Sequence, residues 1–132
     1  MTFVDTNILL DLFTADPQWG AWSQAQLERL AAEGPLIIND VVYAEVSTRF
    51  ESVEEVDDAI RRAGLLLESI SRQALYNAGK AFRRYRAAGG ARTGVLPDFF
   101  IGAHAEAAGL RLLTRDARRY RSYFPSVELI AP

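Results

Sequence analysis

Hydrophobic residues along the chain follow two patterns: short continuous apolar runs, and apolar positions that repeat every three or four residues. The runs Thr2–Val4 and Leu36–Ile38 are each followed by such a repeat, which predicts a strand and then a helix in both places. Another helix is predicted between the Asp16-Pro17 break and Gly34-Pro35. The rest of the pattern predicts helices over residues 53–68, 72–88, from 97 or 98 to 108, and 117–123, and strands over residues 110–114 and 127–130.

Strands that alternate with helices in this way predict an α/β fold, with a central, mostly parallel twisted sheet and helices on both faces. Asn39 or Asp40 can cap the helix after the second strand, whose apolar positions continue as far as Phe50. Gly109 is suited to the C-terminal end of the helix before the strand at 110–114. Residues 89–97 contain three glycines and a proline, which predicts an exposed loop.

The composition narrows the class of protein. The chain has 132 residues, of which 49% are hydrophobic, and this is the size of a single domain over residues 1–132. It contains no cysteine, which excludes disulfides and thiolate metal sites and fits a reducing compartment. The first residues form no basic and apolar leader, and no run of about 18 apolar residues occurs. We therefore expect a cytoplasmic protein with no membrane association.

The net charge of −2 conceals an uneven distribution of charge. Residues 1–79 carry five basic and thirteen acidic side chains, whereas residues 80–121 carry ten basic and three acidic ones. The basic part can follow the phosphates of a nucleic acid. Its alternative role is a solvated helix face, since Arg83, Arg84 and Arg86 lie within a periodic apolar stretch. The charge pattern alone leaves both interpretations open.

Four acidic residues are predicted to lie beyond the carboxyl ends of the strands, where functional sites of parallel sheets are usually found. Asp5 directly follows the first strand, and Asp116 follows the strand at 110–114. Asp98 opens the helix after the glycine-rich loop, and Glu45 lies one turn into the helix after the second strand. We expect these four carboxylates to converge on one site.

Converging carboxylates need a positive partner, because two like charges about 4 Å apart repel by roughly 4 kcal/mol at an effective dielectric of 20. Arginine or a bound cation can supply that charge. Carboxylate oxygens suit Mg²⁺ or Mn²⁺, which can activate a water molecule for phosphodiester hydrolysis without a histidine base.

Each acid also has an alternative, structural role. Asp5 and Asp98 could cap their helices, and Asp116 could begin the helix at 117–123. Glu45 could pair with Arg49, which lies four residues later. Only the convergence of all four acids favours the functional interpretation.

Other side chains that often mark sites are expected to be structural here. We expect Asp11 on the exposed side of the first helix and Asp40 as a helix cap. His104 is expected to be a packed or surface residue, and Trp19 and Trp22 are expected to pack within the protein.

Together these residues form a recognisable set of motifs. In chain order they are Val4-Asp5-Thr6-Asn7, Glu45-Val46, Pro97-Asp98-Phe99-Phe100-Ile101-Gly102-Ala103-His104-Ala105, and Leu113-Thr114-Arg115-Asp116 with Tyr120. The set resembles the PIN-domain family and, within it, the VapC-like toxins of type II toxin–antitoxin modules. The resemblance spans nearly the whole chain and implies a PIN-like fold.

PIN domains are metal-dependent ribonucleases, so the resemblance implies that Asp5, Glu45, Asp98 and Asp116 hold Mg²⁺ or Mn²⁺. Asn7 and Thr114 would be supporting polar residues that orient the ligands. Because only one acid lies in the last motif, the resemblance does not decide whether the site holds one metal ion or two.

The resemblance further implies a homodimer and a cognate antitoxin that blocks the site. The substrate would be structured RNA, such as transfer RNA or ribosomal RNA, cut in single-stranded loops. We expect the RNA backbone to be gripped by Arg83, Arg84, Arg86, Arg92, Arg115, Arg118 and Arg119.

Three other functions compete with this one. A haloacid dehalogenase-type hydrolase expects an aspartate where Asn7 stands, and a response-regulator receiver expects an acidic pair and a late lysine that the chain lacks. A PIN-fold module that binds RNA or protein without cutting it remains the alternative, because a fold does not guarantee chemistry.

Overall fold

The computed structural model describes residues 1–90 and 95–132. Their helices and strands are, in chain order, β1 (Thr2–Val4), α1 (Thr6–Phe13), α2 (Gly20–Glu33), β2 (Leu36–Ile38), α3 (Asp40–Ser47), α4 (Val53–Arg62), β3 (Leu65–Leu67), α5 (Arg72–Ala87), α6 (Leu96–Ala108), β4 (Arg111–Leu113), α7 (Arg118–Tyr123) and β5 (Leu129–Ile130). Part of the predicted loop, residues 91–94, lies outside the described residues, and Arg92 lies there with it.

The five strands form one sheet in the order β3-β2-β1-β4-β5, and every pairing is parallel. Strand β1 lies at the centre, with Phe3 opposite Ile37 of β2 on one side and Leu112 of β4 on the other. All three residues of β1 and of β2 are buried, as expected when helices cover both faces of a parallel sheet. The predicted α/β fold is confirmed.

Local capping explains where several helices begin and end. The Asn39 side chain accepts hydrogen bonds from the backbone N–H groups of Val41 and Val42, so Asn39 caps α3 and Asp40 occupies its first turn. Helix α6 ends at Gly109, whose φ of 65° lies in the left-handed region that favours glycine.

The prediction of a single helix over residues 53–68 is wrong. Helix α4 ends at Arg62, and Gly64, at a φ of 73°, turns the chain into β3. Strand β3 then pairs with β2, with Leu65 opposite Leu36. A run of three leucines fits a helix or a strand equally well, and this distant pairing selects the strand.

Smaller differences concern element ends. Helix α3 stops at Ser47, so Phe50 lies beyond it, where its ring contacts Phe13 at a centroid distance of 5.5 Å. Strands β4 and β5 are shorter than predicted by one or two residues at their ends. These differences do not change the topology.

An aromatic cluster joins helices α5, α6 and α7. The buried ring of Phe99 on α6 contacts Phe82 and Tyr85 of α5 and Tyr123 of α7, with centroids 5.4–5.6 Å apart. This packing fixes α6 against its neighbours and therefore the position of Asp98, one residue before Phe99. None of the described helices is long and apolar enough to cross a membrane.

Candidate active site

Asp5 is the buried centre of the polar residues at the carboxyl end of β1. It is 4% exposed and caps α1, because its Oδ1 accepts the backbone N–H of Thr6 at 2.7 Å. Its Oδ2 accepts hydrogen bonds from Thr114 Oγ1 at 2.7 Å, Tyr120 OH at 2.9 Å and Asn7 Nδ2 at 3.4 Å. The cap role and the site position therefore coincide in one carboxylate.

Thr114 joins the ends of the two central strands. While its hydroxyl donates to Asp5, the same oxygen accepts the backbone N–H of Asp116 at 3.0 Å and Asn7 Nδ2 at 3.3 Å. The side-chain oxygen of Asn7 accepts the backbone N–H of Arg115 at 3.2 Å. Asn7 and Thr114 thus connect the Asp5 segment to the segment that carries Asp116, where the sequence places them as supporting residues.

Tyr120 contacts Asp5 although sequence reasoning gave it no role beyond its place in the motif. It lies on α7 and is 1% exposed. Burial raises the pKa of its phenol well above the usual value, and the negative charge of Asp5 raises it further. The hydroxyl therefore stays protonated and keeps donating to Asp5. Its spacing of four residues from Asp116 was the available signal.

Glu45 approaches the site from α3. Its Oε1 accepts a hydrogen bond from Thr6 Oγ1 at 2.7 Å, so Thr6, the residue after Asp5, holds it toward the end of β1. Among the residues that the structure describes, the half-buried Glu45 carboxylate therefore pairs with Thr6 and not with Arg49.

Asp98 enters from the first turn of α6 and forms an ion pair with Arg119 of α7. Burial raises the pKa of the Asp98 carboxyl, Arg119 opposes that shift, and the charges of Glu45 and Asp116 raise the pKa further. Helix α6 is capped at Val95, and Asp98 lies inside the helix and is not its cap.

The charges of the four predicted acids act on one another. Burial raises the pKa of Asp5 from 3.8 to about 7; the hydrogen bond from Thr114 opposes this shift, and the charge of Asp98 adds to it. The charges of Glu45 and Asp116 in turn raise the pKa of Asp98. Asp98 therefore interacts electrostatically with each of the other three predicted acids. Within the described residues, no group of three or more acidic or histidine side chains is arranged to hold a metal ion.

A groove opens beside Asp116, which is exposed at the surface. It has a volume of about 360 Å³ and is lined by Tyr85, Asp116, Arg118, Arg119, Ser122 and Tyr123. The guanidinium carbon of Arg119 lies 5.5 Å from the centre of the Tyr85 ring. The groove therefore combines positive charge and aromatic surface next to an acid of the site.

The predicted RNA-contacting arginines separate into three groups. Arg83, Arg84 and Arg86 are exposed on α5, as Arg118 is on α7. Arg119 is half-buried and paired with Asp98. Arg115 is likewise half-buried and paired with Asp11, and Arg92 lies outside the described residues.

The expectation that Asp11 is exposed is wrong. Asp11 is 3% exposed, because Arg115 donates to both of its oxygens, at 2.6 and 3.0 Å, and Ser23 Oγ donates at 2.8 Å. A partner more than a hundred residues away was not visible in the helical spacing that placed Asp11 outward.

The expectation that Asp40 caps a helix is wrong, because Asn39 is the cap of α3 and Asp40 is exposed in its first turn. His104 and the two tryptophans are packed. The two tryptophan rings, Trp19 and Trp22, meet edge to face at a centroid distance of 6.1 Å. His104 is buried, with its Nδ1 3.3 Å from Asn39 Nδ2 and its ring 5.0 Å from that of Phe3.

Comparison with known proteins identifies a family for this arrangement. The family model described as PIN domain matches residues 2–125. No curated protein matches the chain at a significant level.

Several solved structures share the fold. VapBC2 from Rickettsia felis, bound to a DNA fragment from its promoter, has a TM-score of 0.75 and 19% sequence identity, with 99% of this chain and 98% of that chain covered. A toxin–antitoxin complex from Klebsiella pneumoniae has a TM-score of 0.69 and 24% identity, covering 96% and 95%.

A third structure is VapC20 from Mycobacterium tuberculosis, described as a sarcin-ricin loop cleaving toxin. It has a TM-score of 0.65 and 17% identity, covering 92% of this chain and 95% of that chain. At these identities the likeness shows a shared fold.

Proposed function

Because the chain belongs to the PIN-domain family, we propose that it is a metal-dependent endoribonuclease. The observation that carries the proposal is the buried Asp5 carboxylate, whose pKa of about 7 reflects both burial and the charge of Asp98. Strongly shifted acids in the crevice of a parallel sheet are typical of functional sites.

The chemistry of Asp5, Glu45, Asp98 and Asp116 fits a divalent cation, Mg²⁺ or Mn²⁺, because all four supply hard oxygen donors. The cation would replace Arg119 as the positive partner of Asp98. A cation bound there would activate a water molecule and offset negative charge on the phosphate oxygens.

The remaining polar residues would position the acids and the RNA. Thr114, Tyr120 and Asn7 donate to Asp5 and so fix the direction of its carboxylate. Thr6 does the same for Glu45. The groove of Arg118, Arg119 and Tyr85 would receive the RNA backbone, because arginines pair with phosphates and aromatic rings stack on bases.

We further propose that the substrate is structured RNA, cut in transfer RNA or ribosomal RNA loops, and that the protein acts in the cytoplasm as the toxin of a toxin–antitoxin pair. The supporting observations are that VapC20 is described as cleaving a loop and that the Klebsiella structure is a toxin–antitoxin complex. The partners would be a cognate antitoxin and a second copy of the chain as a homodimer.

The test is cleavage of total cellular RNA by the purified protein with Mg²⁺ or Mn²⁺. Asp98→Asn and a chelator should each abolish discrete fragments, whereas Asp40→Asn, which removes an exposed charge at the start of α3, should retain them. Cleavage that persists in Asp98→Asn or in chelator would contradict the proposal.

Two observations favour the alternative, a PIN-fold module that binds RNA or protein without cutting. Within the described residues the acids are not arranged as a metal cluster, and Arg119 pairs with Asp98. Such a module would show no metal-dependent cleavage, and its binding would survive Asp5→Asn.

A further inference from the structure

The contact between the buried Asp11 and the half-buried Arg115 does not involve the four acids of the candidate site. Arg115 Nε donates to Asp11 Oδ2 at 2.6 Å, its Nη2 donates to Asp11 Oδ1 at 3.0 Å, and Ser23 Oγ donates to Oδ2 at 2.8 Å. The Trp19 ring centre lies 5.5 Å from the guanidinium carbon. Asp11 thus has partners on both oxygens, and the planar arginine side chain is held in one orientation.

Arg115 lies between two residues of the candidate site. Thr114 before it donates to Asp5, and Asp116 after it donates its backbone N–H to the Thr114 hydroxyl. The backbone N–H of Arg115 itself donates to Asn7 Oδ1 at 3.2 Å. The ion pair with Asp11 therefore adds a second attachment, from the side chain of Arg115 to α1, in the short segment that presents Asp116.

We propose that Asp11 is a positioning residue which, through Arg115, fixes the segment carrying Asp116 and so sets the affinity of the site for a divalent cation. A buried ion pair is weak evidence for stability by itself, because desolvation offsets its attraction. Its two-point geometry does restrict where residue 115, and with it residue 116, can lie. The inference rests on the proposed metal-dependent function.

This role differs from the contact with RNA that the sequence suggested for Arg115. If Arg115 contacted a phosphate, removing that contact would lower the affinity for RNA and the salt dependence of binding, and it would leave metal affinity unchanged. A positioning role changes metal affinity. Asp11 separates the two roles best, because it is buried and acidic and has no means of binding a phosphate itself.

The experiment measures Mn²⁺ dissociation constants by calorimetry for the wild-type chain and three variants. Asp11→Asn removes the charge of the pair, and Arg115→Lys keeps the charge but lacks the two-point fork. Ser23→Ala is the matched control, since it removes the other hydrogen bond to Asp11 and leaves the ion pair in place. Circular dichroism fixes a temperature at which every compared variant is folded, and Arg115→Lys alone carries the test if Asp11→Asn is not folded.

We expect Asp11→Asn and Arg115→Lys each to weaken Mn²⁺ binding about tenfold, the lower end of the loss typical for residues that orient metal ligands. Ser23→Ala should bind Mn²⁺ within twofold of the wild type. RNA cleavage should fall at limiting Mn²⁺ and recover at high Mn²⁺, with the KM for RNA unchanged.

Two results would overturn the inference alone: a lowered melting temperature with unchanged Mn²⁺ affinity, which means a purely structural pair, or a raised KM for RNA with unchanged Mn²⁺ affinity, which means an RNA contact. A wild-type protein that binds no Mn²⁺ would overturn the proposed function as well.

Discussion

Asp5 shows how one residue combines structural and functional demands. Its carboxylate caps α1 and accepts hydrogen bonds from three side chains, yet burial and the charge of Asp98 disfavour its ionised form. Hydrogen bonds alone therefore do not neutralise the cost of burying this charge, and a bound cation would.

The first prediction concerns the pH dependence of the metal-free protein. The pKa of the Asp5 carboxyl rises from 3.8 to about 7 on folding, so its contribution to the free energy of unfolding is fully present below about pH 4 and is lost as the pH rises through 7. The Asp5→Asn variant has no such pH-dependent loss of stability. In the presence of chelator, we expect the free energy of unfolding of Asp5→Asn, relative to that of the wild type, to increase by up to roughly 4 kcal/mol from pH 4 to pH 8.

Urea unfolding across that range measures the difference at each pH. A difference that stays constant with pH would contradict a raised pKa for Asp5. Excess Mn²⁺ should restore the wild type at high pH and leave Asp5→Asn unchanged, because only the wild type retains the ionised ligand.

The second prediction concerns Arg119, which occupies the Asp98 carboxylate in the absence of a cation. Metal binding at Asp98 must weaken that ion pair. Arg119→Gln should therefore bind Mn²⁺ about fivefold more tightly, equivalent to roughly 1 kcal/mol for a partly exposed pair. Arg118→Gln is the matched control, since it removes the same charge from the same helix and its side chain is exposed.

Mn²⁺ titration of both variants gives the comparison. Equal affinity in Arg119→Gln and Arg118→Gln would mean that the pair does not compete with the cation.

At the scale of elements, helix α6 carries Asp98, and its close packing sets where that residue lies. Gly102 faces the ring of Phe124, and a Cβ at this position would lie 3.0 Å or less from three ring atoms. The small residue therefore allows the chain after α7 to approach α6.

The third prediction compares two helical glycines. Gly102→Ala should destabilise the protein by about 1–3 kcal/mol, because the added methyl group forces the Phe124 ring to move. At Gly79 in α5, no described atom outside the helix's own backbone lies within 4 Å of an added Cβ, so Gly79→Ala should stabilise the protein by about 0.5–1 kcal/mol through helix propensity. Thermal unfolding of the two variants tests the pair, and effects of the same sign would contradict the packing argument.

The elements differ in how far the sequence could predict them. The periodicity of α5 and the run of β1 are local signals, and both elements were predicted within a residue of their ends. Strand β3 depends on pairing with β2, almost thirty residues away, and no local pattern distinguishes its three leucines from a helical turn.

The same distinction holds for the candidate site. Asp5 and Asp98 were predicted as site residues because they lie at element boundaries that are visible in the sequence, and the structure places them at the starts of α1 and α6. The Asp11–Arg115 pair, the Arg119–Asp98 pair and the hydroxyl of Tyr120 were missed because each joins side chains from distant elements. Spacing along a chain predicts which face a residue occupies, and only the packed fold decides its partner.

At the scale of the whole molecule, the structure shows where the unevenly distributed charges of the sequence lie. Exposed arginines on α5 and α7 accompany the groove beside Asp116, whereas the exposed α4 surface pairs Arg61 and Arg62 with Asp58. The two regions therefore present different charge to a polyanion, although the net charge of the chain is only −2.

The last prediction tests which arginines meet RNA. Each phosphate contact to a single strand contributes about 0.7 to the slope of log affinity against log salt. Replacing Arg83, Arg84 and Arg86 together by Gln should weaken binding of a single-stranded RNA and lower the slope by about 2. Replacing Arg29, Arg61 and Arg62 removes the same charge from α2 and α4 and should leave the slope within 0.5 of the wild type, roughly one contact at most. Fluorescence anisotropy in chelator, which prevents metal-dependent cleavage, measures both, and equal slopes in the two triple variants would mean that RNA responds to overall charge and not to a defined face of α5.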